Sequence, residues 1–396
     1  MIEVWIFDIL LVLLLLAYGS FGYRNGAAYS IGAVIGLLVG AFIAFLLVPV
    51  IGGLVTNSTV RVIVVIAIAV SLMAAGHAAG TGIARQIDRS VKARSLKVVN
   101  RVLGAIVNVI AAALVISLLA SGLASFGIPP VTRTIASSTV LRVIGTLTPD
   151  PVEAFLAQLR STVVTDGIPV ITEALGGITE APLLPDNVDT GNAALSAAAQ
   201  SVVRITGTAV ACSQNQSGSG FVVSDDRVIT NAHVVSGVTE PVVETPGGQA
   251  LSATVVYFDP VDDLAVLAVR GLDAKPLTLG ATVGDGTTGV IDGYPWGGPF
   301  VTSAAEVLSV DTARVNDIYE TSASPREVYS LATTVNEGDS GGPFLTEDGR
   351  VVGVVFAKSA DTANLGYAMT MAELQPVADQ AASLNRPVEP GSCSRG

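Results

Sequence analysis

The fold class predicted is a multidomain chain: an all-α bundle of four membrane-crossing helices, then an all-β domain of sandwich or barrel type with a C-terminal helix. Three observations predict it. Half of the 396 residues are hydrophobic, only 14% are charged, and four long apolar stretches crowd the front of the chain. From Ser201 onward the pattern changes to short runs of Val, Ile, Thr and aromatics separated by Gly, Asp and Asn turns, the mark of regular short strands. Charge divides in the same way: residues 1–126 carry a net +5, 127–190 carry −4 and 191–396 carry −13. Boundaries are therefore expected at 126 and near 190, with a four-span domain over 1–126, a partly helical linker over 127–190 and the β domain over 191–396.

The apolar stretches are Val4–Phe21, Ala27–Ile51, Val60–Ala84 and Val102–Phe126. Each approaches or exceeds the roughly 20 residues that cross a hydrocarbon core. The first starts Met-Ile-Glu with no basic lead-in and is followed at once by another, so it reads as an uncleaved span. Asp8 interrupts it and is expected near the interface or against neighbouring helices. Gly32, Gly36 and Gly40 recur every four residues, a spacing that lets two helix backbones approach closely. A transport path would need polar residues inside the bundle. Asp8, His77 and a few serines and asparagines are the candidates, and His77 reads as a packing or interfacial residue.

The loops give the orientation. Between spans three and four lie Arg85, Arg89, Lys92, Arg94, Lys97 and Arg101 against one Asp88, and the first connection carries Arg24. Short basic loops stay cytoplasmic. Both termini, the linker and the β domain are then expected outside. The linker holds Pro129, Pro130, Pro149, Pro151, Pro182 and Pro185, with a short amphipathic stretch over Val152–Arg160 and an exposed segment over Gly176–Gly191.

Short strands are expected throughout, among them Val202–Val210, Gly220–Val223, Val228–Thr230, Ala253–Tyr257, Leu264–Val269, Val328–Thr333 and Val351–Phe356. A helix over Met371–Leu384 presents Leu374, Val377, Ala378 and Ala381 on one face. An acidic surface excludes a nucleic-acid partner, which needs clustered Lys and Arg. Two cysteines and two histidines exclude a multi-ligand zinc framework, and no metal or organic cofactor is implied.

Three pieces of the β domain carry chemistry. They are Thr230-Asn231-Ala232-His233-Val234, the acidic run from Asp259 to Asp263 that enters Leu-Ala-Val-Leu, and Gly338-Asp339-Ser340-Gly341-Gly342-Pro343. A serine is a weak nucleophile at neutral pH. It needs a base to take its proton, and the base needs an anion to fix its tautomer. Ser340, His233 and an aspartate supply these roles. Asp263 stands directly before the strand, and alternation along a strand would turn Asp262 the other way. An oxyanion hole needs backbone N–H groups turned to one point, and Gly338 and Ser340 are placed to donate them.

These motifs resemble the chymotrypsin-fold serine proteases, above all their HtrA-like branch, and the front half resembles the colicin V production protein family. Together they resemble the membrane-anchored acid-resistance serine proteases of mycobacteria and related actinobacteria over nearly the whole chain. The resemblance implies a double β-barrel of chymotrypsin type, two six-stranded barrels with the site in the cleft between them. It also implies serine endopeptidase activity on cell-envelope proteins, with membrane lipid around the spans, and a role in acid or oxidative stress. The residue six before the nucleophile, Thr334, is expected to line the base of the specificity pocket, and a small neutral group there favours small or medium apolar side chains. Three departures stand out. Asp339 replaces the Asn usual in HtrA proteins, no Ile-Val-Gly-Gly-like processed start precedes Ser201, and the residues after the terminal helix are too few for a PDZ domain. Cys212 and Cys393, the two cysteines of the chain, lie on the predicted oxidising side and are expected to pair. The competing reading is a membrane transport or scaffold protein carrying a protease-like binding module.

Overall fold

The computed structural model describes residues 2–54, 58–89, 94–125, 129–161, 169–171, 178, 180–209 and 214–394. The chain forms two compact units, Met1–Ser117 and Leu118–Gly396.

The first unit is built from long helices, α1 (Ile2–Asn25), α2 (Ala27–Leu54), α3 (Ser58–Arg89) and the first part of α4 (Arg94–Ser125). Three segments among the described residues are long and apolar enough to cross a membrane: Trp5–Asn25, Ala27–Ala44 and Lys97–Ala124. The remaining expected span, Val60–Ala84, falls on α3, several of whose side chains lie outside those described. The glycine spacing finds its use on the α2–α3 seam. Gly32 and Gly36 lie against the backbone at Gly76 and Gly80, and Gly40 lies against Leu72 and Met73, so that a Cβ at any of the three would collide with the facing helix. Dispersion between closely approaching backbones is what holds helices together where lipid and side chains are equally apolar. A polar link closes the turn between the first two helices: Asn100 Oδ1 on α4 accepts the N–H groups of Ala27 (2.9 Å) and Ala28 (3.3 Å), which open α2. Large apolar side chains such as Trp5, Leu16 and Phe42 point outward and are exposed, as a lipid-facing surface requires.

The second unit starts at Leu118, within α4, and continues with short helices, α5 (Pro129–Ala136), α6 (Thr139–Leu147) and α7 (Asp150–Ser161). Ser138 caps α6 by accepting the Leu141 N–H at 3.2 Å. Next come β1 (Val170–Ile171) and α8 (Ala193–Ala198). A first sheet follows, from β2 (Val202–Ala209), β3 (Gln214–Ser224), β4 (Arg227–Thr230), the one-turn helix α9 (Ala232–Val235), β5 (Val242–Glu244), β6 (Ala250–Ser252), β7 (Thr254–Asp259) and β8 (Leu264–Ala268). A second sheet follows from β9 (Thr288–Gly293), β10 (Val301–Asn316), β11 (Ala323–Ala332), β12 (Pro343–Thr346), β13 (Val351–Ser359) and β14 (Leu365–Met369), before α10 (Met371–Ala381).

The strand orders are β6-β5-β2-β3-β4-β8-β7 and β1-β13-β12-β9-β10-β11-β14, and an extra β13–β14 pairing closes the second sheet on itself. Among the described residues each sheet has seven strands, where the resemblance implied six. In the second the additional strand is β1, contributed by the linker and paired parallel to β13 through Val170–Lys358 and Ile171–Ser359. The segment expected to be exposed is tied down further on. Ile178 and Val188 pack on the core, and Asn364 Nδ2 donates to the Pro182 carbonyl at 3.4 Å.

Three apolar clusters hold the unit. Val203, Ile205, Val222, Val235 and Leu267 fill the first sheet. Ile291, Val307, Leu331, Phe344 and Val355 fill the second, where Tyr329 meets Phe344 edge to face with ring centroids 5.5 Å apart. The largest cluster joins both sheets through Phe221, Ile229, Leu264, Val354 and Phe356, and α10 covers it with Leu374 and Val377. Full burial of one such side chain is worth about 1.5–3 kcal/mol, so the joint between the sheets is itself core. The catalytic motifs sit on the loops that leave this joint.

Candidate active site

His233 lies on α9, a single turn that follows β4 directly. Asn231 precedes it in extended backbone and donates its Nδ2 to the Asp263 carbonyl at 2.8 Å. This bond clamps the two loops together before any triad contact is made. Asp263 Oδ1 accepts the His233 backbone N–H at 2.9 Å, and Oδ2 meets Nδ1 at 2.8 Å. The carboxylate is therefore fixed by two points on one residue. Because a carboxylate accepts, Nδ1 carries the proton and Nε2 keeps its lone pair. Both residues are buried, at 4% and 3% exposure, so the pair is shielded from water.

The geometry that aims Asp263 differs from the one expected. Strand alternation does not separate Asp262 from Asp263, because neither is in the strand: β8 starts at Leu264. Asp263 instead has φ of 53°, the left-handed region that Asp tolerates better than most residues. That single twist turns its side chain to His233. Asp262 is half-buried, and its N–H bonds to Asp259 Oδ1 at 3.1 Å.

Ser340 is 2% exposed and flanked by two positive-φ glycines, Gly338 at 93° and Gly341 at 83°. Neither position admits a side chain. Gly338 is enclosed by backbone of Tyr294, Trp296 and Gly297, and Gly341 by the Ser219 carbonyl, the Thr230 hydroxyl and the Asn231 nitrogen. The second contact sets the nucleophile loop against the residues that lead into His233. Ser219 N–H donates to the Ser340 carbonyl at 2.8 Å and Gly341 N–H to Val355 at 2.8 Å. His233 Nε2 and Ser340 Oγ are both buried without a hydrogen-bond partner among the described residues. Catalytic hydrogen bonds are often long in the free enzyme and tighten on substrate binding.

Asp339 lies at the centre of this loop and is 5% exposed. Its Oδ2 accepts the Asn336 N–H at 2.8 Å. Among the described residues it has no cationic partner in bonding contact, and in the unprocessed chain its anchor is the Asn336 amide. Burial pushes its carboxyl up to about 7, against the weaker opposing pull of Asn336 and Lys358. Asp292, on the adjacent β9, is pushed up to about 6 by burial, with the Thr302 hydroxyl opposing. Thr334 is exposed between buried Thr333 and Val335. Cys393 is not a free thiol. Cys212, its expected partner, lies outside the described residues. No group of three or more metal-ligating side chains occurs among the described residues.

Asn231 and Ser219 support the site without having been assigned a part in it. Asn231 stands inside a motif already recognised. Ser219 sits in Gln-Ser-Gly-Ser-Gly-Phe, which reads as a flexible turn although it forms the middle of β3. The only hint is the apolar run that follows at Phe221-Val222-Val223.

The aspartate-oriented histidine, the buried serine between positive-φ glycines and the paired β-sheets define a trypsin-like serine peptidase, here on a chain with membrane-crossing helices. Residues 218–354 match the trypsin-like peptidase domain family, and residues 7–149 match the colicin V production protein family. Serine protease Rv3671c of Mycobacterium tuberculosis is 31% identical over 378 residues, 94% of this chain and 94% of that protein. A probable periplasmic serine endoprotease of DegP-like type from Halomonas elongata is 32% identical over 187 residues, 45% of this chain and 36% of that one. The crystal structure of the Rv3671c protease from M. tuberculosis in its active form has 36% identity and a TM-score of 0.51, covering 56% of this chain and 100% of that chain. The chain belongs to the same family as serine protease Rv3671c, which selects the peptidase over the transport or scaffold reading.

Proposed function

We propose that this membrane serine protease is a multi-pass endopeptidase with four spans, that its catalytic domain faces the extracytoplasmic space, and that it cuts cell-envelope proteins through an acyl-enzyme. The observation that carries the chemistry is the hydrogen bond that His233 Nδ1 donates to Asp263 Oδ2, which leaves Nε2 as the free base beside the Ser340 loop. Ser340 Oγ attacks the scissile carbonyl carbon as His233 Nε2 takes its proton. The carbonyl oxygen becomes an anion between the N–H groups of Gly338 and Ser340. His233 then returns the proton to the leaving amine, and the acyl group stays on Ser340. Water, deprotonated by His233, releases the acid and restores the serine. Thr334 near the pocket favours small or medium apolar side chains. Burial raises the Asp339 and Asp292 carboxyls, so the folded domain is expected to be more stable in acid than at neutral pH, which would suit a role in acid stress.

Orientation rests on the basic loop between the third and fourth spans. A reporter that fluoresces only in the cytoplasm is expected to light up when inserted near Arg94 and to stay dark when fused after Leu384. The reverse pattern places the protease inside the cell and ends this reading.

The same compartment favours a Cys212–Cys393 bridge. It would close a loop of about 180 residues, for which the chain-entropy relation gives an upper figure of roughly 5 kcal/mol. Freshly purified protein is expected to show no alkylatable thiol and to melt at a lower temperature with reductant. Two alkylatable thiols and an unchanged melting temperature would refute the bridge.

A further inference from the structure

We propose that the oxyanion hole is held in its working geometry from the first sheet, by Ser219 and Arg204, acting as positioning residues. The proposal rests on the serine-peptidase reading of Ser340.

A trans peptide turns its C=O and its N–H to opposite sides. The direction of the Gly338 N–H is thus set by where the Glu337 carbonyl is held. That carbonyl accepts a hydrogen bond from the Trp296 N–H. The peptide on the other side of Gly338 is held as well: Ser219 Oγ donates to the Gly338 carbonyl at 2.7 Å and accepts the Tyr294 N–H at 2.9 Å. One buried hydroxyl therefore ties the oxyanion loop to the turn at Tyr294–Gly297. The backbone of the same residue holds the Ser340 carbonyl at 2.8 Å. Among the described residues, the N–H groups of Gly338 and Ser340 donate to no protein acceptor, so both are left for a substrate oxygen.

The turn that receives the Glu337 carbonyl is in an unusual conformation. Trp296 has φ of 54° and ψ of 25°, a region rarely occupied by a bulky aromatic residue, and such a turn persists only where its surroundings hold it. Arg204 holds it. Its Nη1 donates to the Gly297 carbonyl at 2.7 Å, and its Nη2 is paired with Glu244. Arg204 on β2 and Glu244 on β5 stand directly opposite each other in the strand register. The line of contact is continuous: the ion pair orients the turn, the turn takes the Glu337 carbonyl, and the Gly338 N–H faces the other way.

Placement errors near 1 Å can cost on the order of 100-fold in rate, and loss of one oxyanion donor costs roughly 100- to 1,000-fold. A buried hydroxyl or ion pair with only a structural role would change stability and leave the chemical step alone. The test uses the full chain in detergent with Ser219→Ala, Arg204→Met, Arg204→Lys and, as a core control in β2, Val203→Ala. Each is measured for kcat and KM on a peptide amide, for melting temperature, for affinity toward a peptide aldehyde and toward the matching product peptide, and for the fraction labelled at completion by a fluorophosphonate. Ser219→Ala and Arg204→Met are expected to lower kcat about 10- to 100-fold, to leave KM and product-peptide affinity within about threefold, and to weaken the aldehyde by the same factor as kcat. Arg204→Lys keeps a donor for the Gly297 carbonyl and is expected to recover most of the rate. Val203→Ala is expected to melt earlier with kcat retained. Loss of melting temperature with kcat within twofold of the unmodified chain, in Ser219→Ala and Arg204→Met alike, overturns the proposal. So does a rise in KM with kcat unchanged. An unmodified chain that is not labelled at Ser340 overturns the serine-peptidase reading instead, and this one with it.

Discussion

Ser340→Ala and His233→Ala are each expected to lower kcat by about 10⁴-fold or more, because either change leaves only binding and the oxyanion hole. Asp263→Asn is expected to fall nearly as far. Asp263 accepts at both oxygens, from the His233 N–H and from Nδ1. An amide can accept at one of these points only and would offer a donor at the other, favouring the wrong imidazole tautomer. Asp262→Asn is expected to stay within a few-fold, since the hydrogen bonds and the ion pair to His233 come from Asp263. Turnover of a peptide amide, together with fluorophosphonate labelling of Ser340, reads all four variants. Near-normal turnover in Asp263→Asn would falsify its place in the triad.

The protease domain is expected to lose stability as pH rises, through the buried carboxyl of Asp339. Its folded value of about 7 lies above the ordinary value near 3.8, so the folded state keeps a proton that the unfolded chain releases. The contribution is fully present below about pH 4, declines across the window from 4 to 7 and is gone above it. A shift of this size corresponds to roughly 4 kcal/mol at most. Asp292, at about 6, acts in the same direction over a narrower range. Asp339→Asn keeps an acceptor for the Asn336 N–H and removes the titration. It is expected to melt higher than the unmodified chain at pH 8 and to flatten the difference between pH 5 and pH 8. Thermal melts at both pH values decide it, and an unchanged slope in the variant would assign the dependence elsewhere.

The chemistry was more legible than the architecture around it. His233, Ser340 and Gly338 announce themselves because a nucleophile, a base and backbone donors need particular residue types in short, rigid turns. Asp263 was legible as a residue but not as a conformation, since nothing in Asp-Asp-Leu distinguishes a strand from a left-handed turn. The strands legible in the sequence are those dense in Val, Ile and Leu, such as β4, β8 and β13. The longest strand among the described residues, β10, carries no such signal. Its sequence, Val-Thr-Ser-Ala-Ala-Glu-Val-Leu-Ser-Val-Asp-Thr-Ala-Arg-Val-Asn, is half polar, and most of it is partly exposed. It is held by a backbone ladder to β9 and β11, with a register shift between Val307 and Ser309 that breaks the alternation. Arg204 and Ser219 were illegible for a related reason. Their partners are carbonyls 93 and 119 residues away, and a carbonyl leaves no trace in a sequence.

The small strand β1 bears on how this domain can be handled apart from its membrane. Val170 and Ile171 cover the outer side of β13, where an open strand would offer its N–H and C=O groups to another copy. Cutting the chain at the compositional boundary near 190 removes that cover together with Ile178 and Val188, which rest on the core. A free-standing catalytic fragment is therefore expected to need at least the chain from Pro169, whose carbonyl accepts the Lys358 N–H. A fragment beginning later is expected to expose that edge and to self-associate more readily.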